Sequence, residues 1–276
     1  MTKLYQTMKA DHKIERTQNR IGELRCSLGN SKLKKTGKAV KALLSIEGSL
    51  NGFTPRGYEI ASFNLPAGGY QWQGLEHITC PKAGPCLPLC YARAGHIAMD
   101  DALGLRIANH QTLLTLHGDD MIQGLDAMVK ALPTKIGLIR IHDSGDFYAL
   151  YYMKAWIEVA KLNPTILFYG YTKSISMLHS VALPDNMRVS QSLGGKEDHL
   201  VDYSLSHARI FTGSGSTKAE RNDDGHRRRI EAGYIDGNDE VDGDLASIMG
   251  ENRIGLVYHG MKNLTDAQTK HFQKAV

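Results

Sequence analysis

The chain has 276 residues, of which 42% are hydrophobic and 22% are charged, as in an ordinary water-soluble globular protein. No apolar run approaches the roughly 20 residues that a membrane helix needs, so the composition excludes a bundle of membrane helices and predicts no membrane partner. The N-terminus lacks the apolar core of a signal peptide, which predicts a cytoplasmic location.

The first 56 residues are strongly basic. Residues 1–56 carry twelve Lys or Arg against four Asp or Glu, whereas residues 57–276 carry 21 against 25. We therefore expect a basic N-terminal extension over 1–56 and a folded domain over 57–276. In "SKLKKTGKAVKALL" the lysines surround a short apolar stripe at helical spacing. Such a basic face is either a solvated helix surface or a contact for nucleic acid or another polyanion.

Six strand-like runs alternate with helical patterns through the rest of the chain. Helical patterns extend from about Tyr91 to His117, over "DDMIQGLDAMVKAL", and after each later strand. This alternation predicts βαβ units and a parallel sheet. The six runs are "IASFNLPAG", "IGLIRIHDSGD", "TILFYGYT", "MRVSQSLGG", "ARIFTGSG" and "RIGLVYHG".

Polar side chains collect where almost every one of these strands ends. Barrel active sites lie at that end, so the pattern favours an incomplete (β/α)6 TIM-like barrel. An open doubly wound sheet is the alternative, and it too binds ligands beyond the carboxyl ends of its strands. The polar groups are His142 to Asp146, Thr172 and Lys173, Ser190 to Ser192, Thr212 to Ser214, and His259.

Three of the four cysteines lie close together in a loop rich in proline and glycine. Cys80, Cys86 and Cys90 are separated by five and then three residues. In a reducing cytoplasm such a cluster indicates metal binding or catalysis rather than disulfides. Three thiolates can hold a [4Fe-4S] cluster in the loop 80–90 and leave one iron open to a small molecule. Cys26 is the only further thiolate, 54 residues before Cys80.

Two other interpretations of the cysteines stay open at this point. Zinc bound by the three thiolates would take His77 or His96 as its fourth ligand, although a gap of five residues is less typical of structural zinc. Unligated cysteines that pack as small hydrophobic residues are the other alternative. The polar, proline-rich loop favours the cluster.

Several motifs together resemble a known family. "FNLPAGGY", "CPKAGPCLPLCYA", "IRIHDSGDFY", "FYGYTKS" and "IGLVYHG", within about Ser62 to Gly260, resemble the gene product 88 domain of phages. A first strand, a three-cysteine loop and six β/α units also resemble radical S-adenosylmethionine (SAM) enzymes, whose usual cysteine spacing is three and two. The resemblance implies a barrel of radical SAM type, a [4Fe-4S] cluster, SAM as cofactor, an electron donor and, for a phage protein, the host cytoplasm.

The same resemblance implies cofactor-binding residues. Ser144, Gly145 and Asp146 match the place of the Gly-Gly-Glu-like segment that holds the amino group of SAM. The alternative for Asp146 is the cap of a helix that begins near Phe147. The resemblance also implies hydrogen bonds to the ribose of SAM from residues at the end of the fourth strand: Ser190, Gln191 and Ser192.

Four residues are candidate catalytic groups. Arg140 and His142 alternate with isoleucines, so one face of their strand is charged and would face the barrel lumen. Such charge needs either an internal salt bridge or a substrate or cofactor, and we favour the latter. Lys173 would pair with an anionic group or lie on the surface, and His259 would act as an acid/base or pack in the core.

The remaining motifs are weaker. "TGSGS" resembles a phosphate loop, Gly233 to Asp244 is interpreted as a solvated acidic loop, and Arg227 to Arg229 as a helix surface. The sequence thus predicts an iron–sulfur enzyme similar to radical SAM enzymes. The alternative is a non-catalytic iron–sulfur redox or sensor protein that binds a partner or nucleic acid through its basic arm.

Overall fold

A computed structural model of the chain describes residues 5–214, 217–234 and 242–257. The strands in these ranges are β1 (Glu59–Phe63), β2 (Gly69–Trp72), β3 (Leu75–Ile78), β4 (Ile136–Ile141), β5 (Leu167–Thr172), β6 (Met187–Ser192), β7 (His207–Phe211) and β8 (Arg253–Val257). The α-helices are α1 (Asp11–Gln18), α2 (Ser31–Glu47), α3 (Asp100–Thr115), α4 (Asp119–Lys130), α5 (Leu150–Leu162), α6 (Ile175–His179), α7 (Lys218–Glu231) and α8 (Asp242–Met249).

Six strands form one parallel sheet in the order β1-β4-β5-β6-β7-β8. They are the six predicted strands, so this part of the prediction is confirmed. The order never reverses, which makes the doubly wound alternative wrong, because that fold needs a reversal of strand order. Residues at the ends of β4, β5, β7 and β8 border one common cavity. The sheet is therefore curled into a half-barrel.

A hairpin that the sequence analysis did not predict follows the first strand. β1 ends at Phe63 rather than near Gly68, and β2 and β3 then pair antiparallel. Their two-residue turn, Gln73 and Gly74, has φ values of +49° and +79°. This is the left-handed backbone of a tight hairpin turn. The cysteine loop therefore starts from the hairpin and not directly from β1.

The helices differ from the prediction at two places. Two 3₁₀ turns, Tyr91–Arg93 and Gly95–Ala98, precede α3, so no single helix runs from Tyr91. Between β6 and β7 only a 3₁₀ turn at Asp198–Leu200 forms, and the helix predicted there is wrong. None of the helices in the described ranges is long and apolar enough to cross a membrane.

The two faces of the sheet pack against different layers, as alternation along a strand requires. In β4, Ile139 and Ile141 pack in the outer core, together with Trp156 of α5 and residues of α4. Leu138 belongs to a second core on the inner face with residues of β5, α2 and α8. Arg140 lies on the same inner face, where it borders the cavity.

The basic N-terminal segment packs onto the sheet. Ser27 pairs with Ser62 of β1, through N–H···O distances of 2.7 and 3.0 Å. Leu33 and Val40 of α2 are fully buried in the inner core. Residues before position 57 therefore supply part of the core and cover the outer edge of β1.

Candidate functional site

A cavity of about 530 Å³ opens at the carboxyl ends of the sheet strands. Parallel α/β barrels hold their ligands at this end. The polar residues that border it and that the sequence predicted include Cys80, Cys86, Cys90, Arg140, His142, Asp143, Ser144, Asp146, Thr172, Lys173 and Ser192. Those that the sequence did not single out are Lys32, Tyr91, His226, Arg229 and Asp244.

Cys80 is held against the backbone of the loop after β1. The Gly68 N–H donates to Cys80 Sγ at 3.2 Å, and the Cys80 N–H donates to the Gly68 carbonyl at 3.2 Å. Gly68 has φ +77°, and a Cβ there would lie 2.3 Å from a methyl carbon of Leu87. Glycine at this position thus lets the loop close over Cys80.

The loop that follows β6 anchors the middle of the cysteine loop. The Cys86 N–H donates to the Gly194 carbonyl at 3.2 Å, and Ala83 forms a β-bridge with Gly195. A Cβ on Gly84 would lie 3.0 Å from Gly195, so the two backbones are in close contact. The predicted Gly194-Gly195 turn therefore positions the cysteine loop over the carboxyl end of the sheet.

The thiols lie in a partly buried environment beside one ammonium group. Burial raises the pKa of Cys80 well above its ordinary value and also raises the pKa of Cys90. The positive charge of Lys173 opposes that rise at Cys90. Lys173 Nζ donates to Ser192 Oγ at 2.7 Å and to the Leu193 carbonyl at 3.1 Å. Lys173 therefore borders the cavity and does not project from the surface.

Cys26 lies apart from the other cysteines. Its Sγ lies 3.8 Å from Met128 Sδ, and it packs against the outer core. Burial raises the pKa of its thiol to about 12. Cys26 does not border the cavity around the other three thiols.

The residues described contain no ligand set for a single metal ion. No three His, Cys, Asp or Glu side chains within the described ranges lie close enough to hold one. His77 stacks on Tyr70 with ring centroids 4.9 Å apart and does not border the cavity. Zinc held by the three cysteines and His77 is therefore not supported, and the His96 side chain lies outside the description.

Arg140 lies at the centre of a buried ion-pair network. Its Nη1 is 2.7 Å from Asp244 Oδ1 and 3.2 Å from Asp143 Oδ1. Lys32 Nζ lies 3.0 Å from Asp244 Oδ2. Burial alone would lower the pKa of Arg140, but the two carboxylates raise it well above its usual value. The internal salt bridge that the sequence analysis weighed as the alternative is present, and Arg140 still borders the cavity.

His142 borders the cavity as Arg140 does, but its ring packs toward the outer core and α5. Its φ is +67°, and this interrupts the extended alternation of the strand. The ring instead packs against Phe147, and its Nε2 lies 2.9 Å from the hydroxyl of Tyr152 in α5. Burial lowers the pKa of His142 to about 3, so the imidazole is neutral near pH 7.

Asp146 joins the ends of two strands. Its Oδ1 accepts from Thr172 Oγ1 at 2.6 Å and from the Phe147 N–H at 2.7 Å, and its Oδ2 accepts from the Lys173 N–H at 3.0 Å. Burial raises its pKa despite these bonds. α5 begins at Leu150, and Ala149 occupies its cap position, so Asp146 is not the helix cap.

Ser144 and Gly145 are committed to close packing against the loop after β1. Ser144 Oγ donates to the Leu65 carbonyl at 2.8 Å. Gly145 has φ +92°, and a Cβ there would lie 2.6 Å from the Leu65 side chain. Both residues border the cavity through the tight turn that they form.

The three candidate residues at the end of β6 do not all border the cavity. Only Ser192 borders the cavity, where its hydroxyl accepts from Lys173. Ser190 Oγ lies 2.8 Å from Ser206 Oγ, and Gln191 Nε2 donates to the Asp202 carbonyl at 2.8 Å. The Ser190 and Gln191 side chains thus hold the connection to β7.

Two weaker motifs have other roles than predicted. Asp244 is fully buried in α8 and paired with Arg140, so it is not part of a solvated loop. Arg229 is buried and borders the cavity, whereas Arg227 and Arg228 pair with Asp224 on the surface of α7.

The described part of "TGSGS", at the end of β7, packs against α7. The Ser214 N–H donates to Asp224 Oδ2 at 2.8 Å, and Gly213 packs against the backbone of α7. Gly215, Ser216, residues 235–241 and the candidate His259 lie outside the described residues.

The signal for the missed residues was present but ambiguous. Lys32 was visible within the basic helix, and Tyr91 directly follows Cys90. Arg229 and Asp244 lie in charged segments that are typical of a solvent-exposed surface. The neighbouring sequence does not show that the Arg229 and Asp244 side chains are buried, because their partners lie far away in the sequence.

Comparison with known proteins agrees with the motif resemblance. The family described as Gene product 88 matches residues 23–272. The Gene 88 protein of Mycobacterium phage L5 is 29% identical over 155 residues, which cover 49% of this chain and 62% of that protein. The chain thus aligns with less than two thirds of that relative's length. No solved structure matches the chain. Because the family match covers most of its length, this chain belongs to the gene product 88 family.

Proposed function

We propose that Cys80, Cys86 and Cys90 bind a [4Fe-4S] cluster whose fourth iron is open to a small molecule. The barrel would then be of radical SAM type, and SAM the small molecule. One observation carries the proposal: the three thiols border a single cavity at the carboxyl ends of a curled parallel sheet. That is the end at which barrel enzymes hold their cofactors and substrates.

The arrangement of the thiols fits a cluster better than a single ion. A single zinc ion draws its ligands to about 2.3 Å from one centre. In a cluster each cysteine binds a different iron atom, so the thiols need to border one space without converging on a point. The described residues hold no compact ligand set for one ion, but they do place three thiols around one cavity.

The surrounding residues would support such a cluster. The Gly68 N–H already donates to Cys80 Sγ, and hydrogen bonds of this kind tune the electronic properties of bound clusters. Lys173 offsets the negative charge of the thiolates near Cys90. When bound, the group supplies one-electron chemistry and an iron with an exchangeable position.

The place of Cys26 supports the open fourth iron. All four cysteines of the chain are described, and Cys26 packs beside Met128 in the outer core instead of bordering the cavity. No fourth thiolate therefore stands beside the other three.

Iron content tests the proposal directly. Anaerobically purified protein should be brown and contain about four irons per chain. Each of Cys80→Ala, Cys86→Ala and Cys90→Ala should abolish cluster incorporation, whereas Cys26→Ala, the matched control, should keep the native iron content. Colourless protein with stoichiometric zinc would refute the cluster. Loss of iron in Cys26→Ala would refute the open fourth position.

The alternative is a non-catalytic iron–sulfur protein with a redox or sensor role. In such a protein the exposed lysines of α2 would bind a partner protein or nucleic acid. SAM distinguishes the two, because only a cluster with an open iron should change its EPR spectrum in the reduced state when SAM is added. An unchanged spectrum with a full cluster would favour the redox or sensor role.

A further inference from the structure

The basic helix α2 begins at the mouth of the cavity. Lys32 borders the cavity, and its Nζ lies 3.0 Å from Asp244 Oδ2. Lys35, Lys38 and Lys41 follow at intervals of three residues, a spacing that makes successive side chains neighbours on the helix surface. Each step of three residues also turns about 60° around the helix axis, so the four lysines form a track that leaves the cavity along α2 and winds about half a turn around the helix.

The track is exposed and no acidic residue of its own helix offsets it. Lys35, Lys38 and Lys41 are all exposed, and Lys34 beside them is exposed too. α2 carries no Asp or Glu before Glu47. From Lys32 to Lys41 the helix rises about 14 Å.

An aromatic ring stands at the same mouth. Tyr91 borders the cavity and is 56% exposed, which is high for a side chain of this size. Its hydroxyl donates to Asp143 Oδ1 at 2.6 Å, and Asp143 Oδ2 accepts from Asn30 Nδ2 at 2.8 Å. Asn30 also caps α2 through the Lys32 N–H. The ring and the start of the lysine track are thus joined by hydrogen bonds.

We propose that the substrate of this cavity is a single-stranded nucleic acid. The inference rests on the proposed function for its chemistry. The side chains that would recognise the strand, however, do not depend on the presence of a cluster. The phosphates would lie along the α2 lysines while one base stacks on Tyr91 and its nucleotide enters the cavity. A basic track combined with a stacking ring is how proteins bind single strands.

Duplex and acidic polypeptide fit the same features less well. A base within a duplex must leave its stack before it can enter a pocket, and that costs free energy. An acidic polypeptide would use the lysines but has no need of an exposed ring at the cavity mouth. The cavity of about 530 Å³ lies within the usual range of ligand pockets.

The first test changes the track and keeps the core. Because Leu33 and Val40 of α2 are buried, deleting the basic segment would open the core, and substitutions on the full chain are needed. Lys35→Gln, Lys38→Gln and Lys41→Gln together should weaken binding of a labelled single-stranded oligonucleotide at least ten-fold. The slope of log affinity against log salt should fall by about 2, as three lost phosphate contacts predict.

The matched control removes the same charge elsewhere. Lys130→Gln, Lys154→Gln and Lys161→Gln change three exposed lysines on α4 and α5 and should leave affinity near the native value. Fluorescence anisotropy measures both triple variants. Equal loss in the two variants, absence of strand binding by the native chain, or displacement of the strand by an equal charge of poly-glutamate would each overturn the proposal.

The second test isolates the ring. Tyr91→Leu should lower affinity for the oligonucleotide about ten-fold, the effect of one lost stacking contact. Tyr91→Phe keeps the ring and should restore native affinity. An oligonucleotide with an abasic position should bind native protein and Tyr91→Leu equally. An equal loss for intact and abasic strands would overturn the role of Tyr91.

The two proposals fail separately. Strand binding is measured on the full-length chain as purified, and iron is quantified in the same samples. Iron without strand binding would overturn only the nucleic-acid substrate. Strand binding with the expected variant effects, in protein that takes up no iron, would overturn only the cluster.

Discussion

Asp143 connects four parts of the molecule through one side chain and its backbone. Its carboxylate contacts Arg140 of β4, Tyr91 of the cysteine loop and Asn30 at the start of α2. Its N–H donates to Asn64 Oδ1 at 2.7 Å, after β1. A change at Asp143 should therefore act on the sheet and on the mouth of the cavity together.

Asp143 also makes stability depend on pH. Burial alone would raise its pKa, but Arg140 and the Tyr91 hydroxyl hold it below its ordinary value. A depressed pKa in the folded state adds stability above the pKa of the unfolded chain, and this is lost as pH falls through the folded value. The native chain should therefore lose stability as pH falls below about 4.

Asp143→Asn should remove this dependence. Near pH 7 the variant should lose about 2 kcal/mol of unfolding free energy, because a charged acceptor of several hydrogen bonds is gone. At low pH the difference from native protein should shrink. Urea unfolding at a series of pH values measures both effects. A constant difference across the series would show that the carboxylate charge is not the cause.

The residues of the site were predictable where the signal was local. The cysteines and Lys173 lie in short motifs that follow strands, and parallel strands bring such ends together. Asp244 was misassigned because its partner, Arg140, is distant in sequence. The contacts of His142 with the outer core were not predictable, because a left-handed backbone in a non-glycine residue has no clear sequence signal.

Among the elements, the short turn after β6 contacts the cysteine loop directly. Asp198 accepts hydrogen bonds from the N–H groups of Gly194 and Gly195, with the closest contact 2.8 Å. Gly194 in turn accepts from the Cys86 N–H. The turn therefore holds two flexible glycines in the conformation that receives Cys86.

Asp198→Ala should loosen this anchor. Two backbone N–H groups lose a charged acceptor, so we expect a loss of about 2 kcal/mol in unfolding free energy. The Cys86 thiol should react faster with iodoacetamide, and the Cys86 amide should exchange hydrogen faster. Asp202→Ala, an exposed acidic residue nearby, is the control. A change at Asp198 that lowers stability but leaves Cys86 reactivity unaltered would contradict the anchoring role.

The secondary structure was predictable for the strands of the sheet and less so for the turns. The six sheet strands were predicted because each is a short apolar run between helical patterns. The β2–β3 hairpin was missed because Gln73-Gly74 is not one of the usual hairpin dipeptides, although Gly74 by itself is a turn signal. The helix expected after β6 does not form, because Gly194, Gly195 and Asp198 build a tight turn there.

Across the whole molecule, an ion-pair network connects distant parts of the half-barrel. Asp244 of α8 joins Arg140 of the second strand in the sheet to Lys32 of α2. The Asp244 and Arg140 side chains are buried, so water screens their interaction little. Removal of one charge should therefore cost more than loss of an exposed pair.

A double-mutant cycle measures this connection. Asp244→Ala leaves buried Arg140 with only Asp143 of its two carboxylate partners and should cost about 3 kcal/mol. Arg140→Met should cost less, because Lys32 still pairs with Asp244. The double variant should be more stable than the sum predicts, by at least about 1 kcal/mol. Urea unfolding at neutral pH provides the values, and additive losses would show that the two residues are not coupled.

The strand order also determines when each strand can pair during translation. From β5 onward, each new strand pairs with the strand translated just before it, whereas β1 waits for β4 until residues 64–135 have been made. The cysteine loop emerges early, yet its anchor at Gly194 and Gly195 is translated much later. Nascent chains would therefore expose these thiols until Gly194 and Gly195 have been translated. The loop would therefore be ready to receive any cofactor only after β6 has been translated, when about two thirds of the chain has been made.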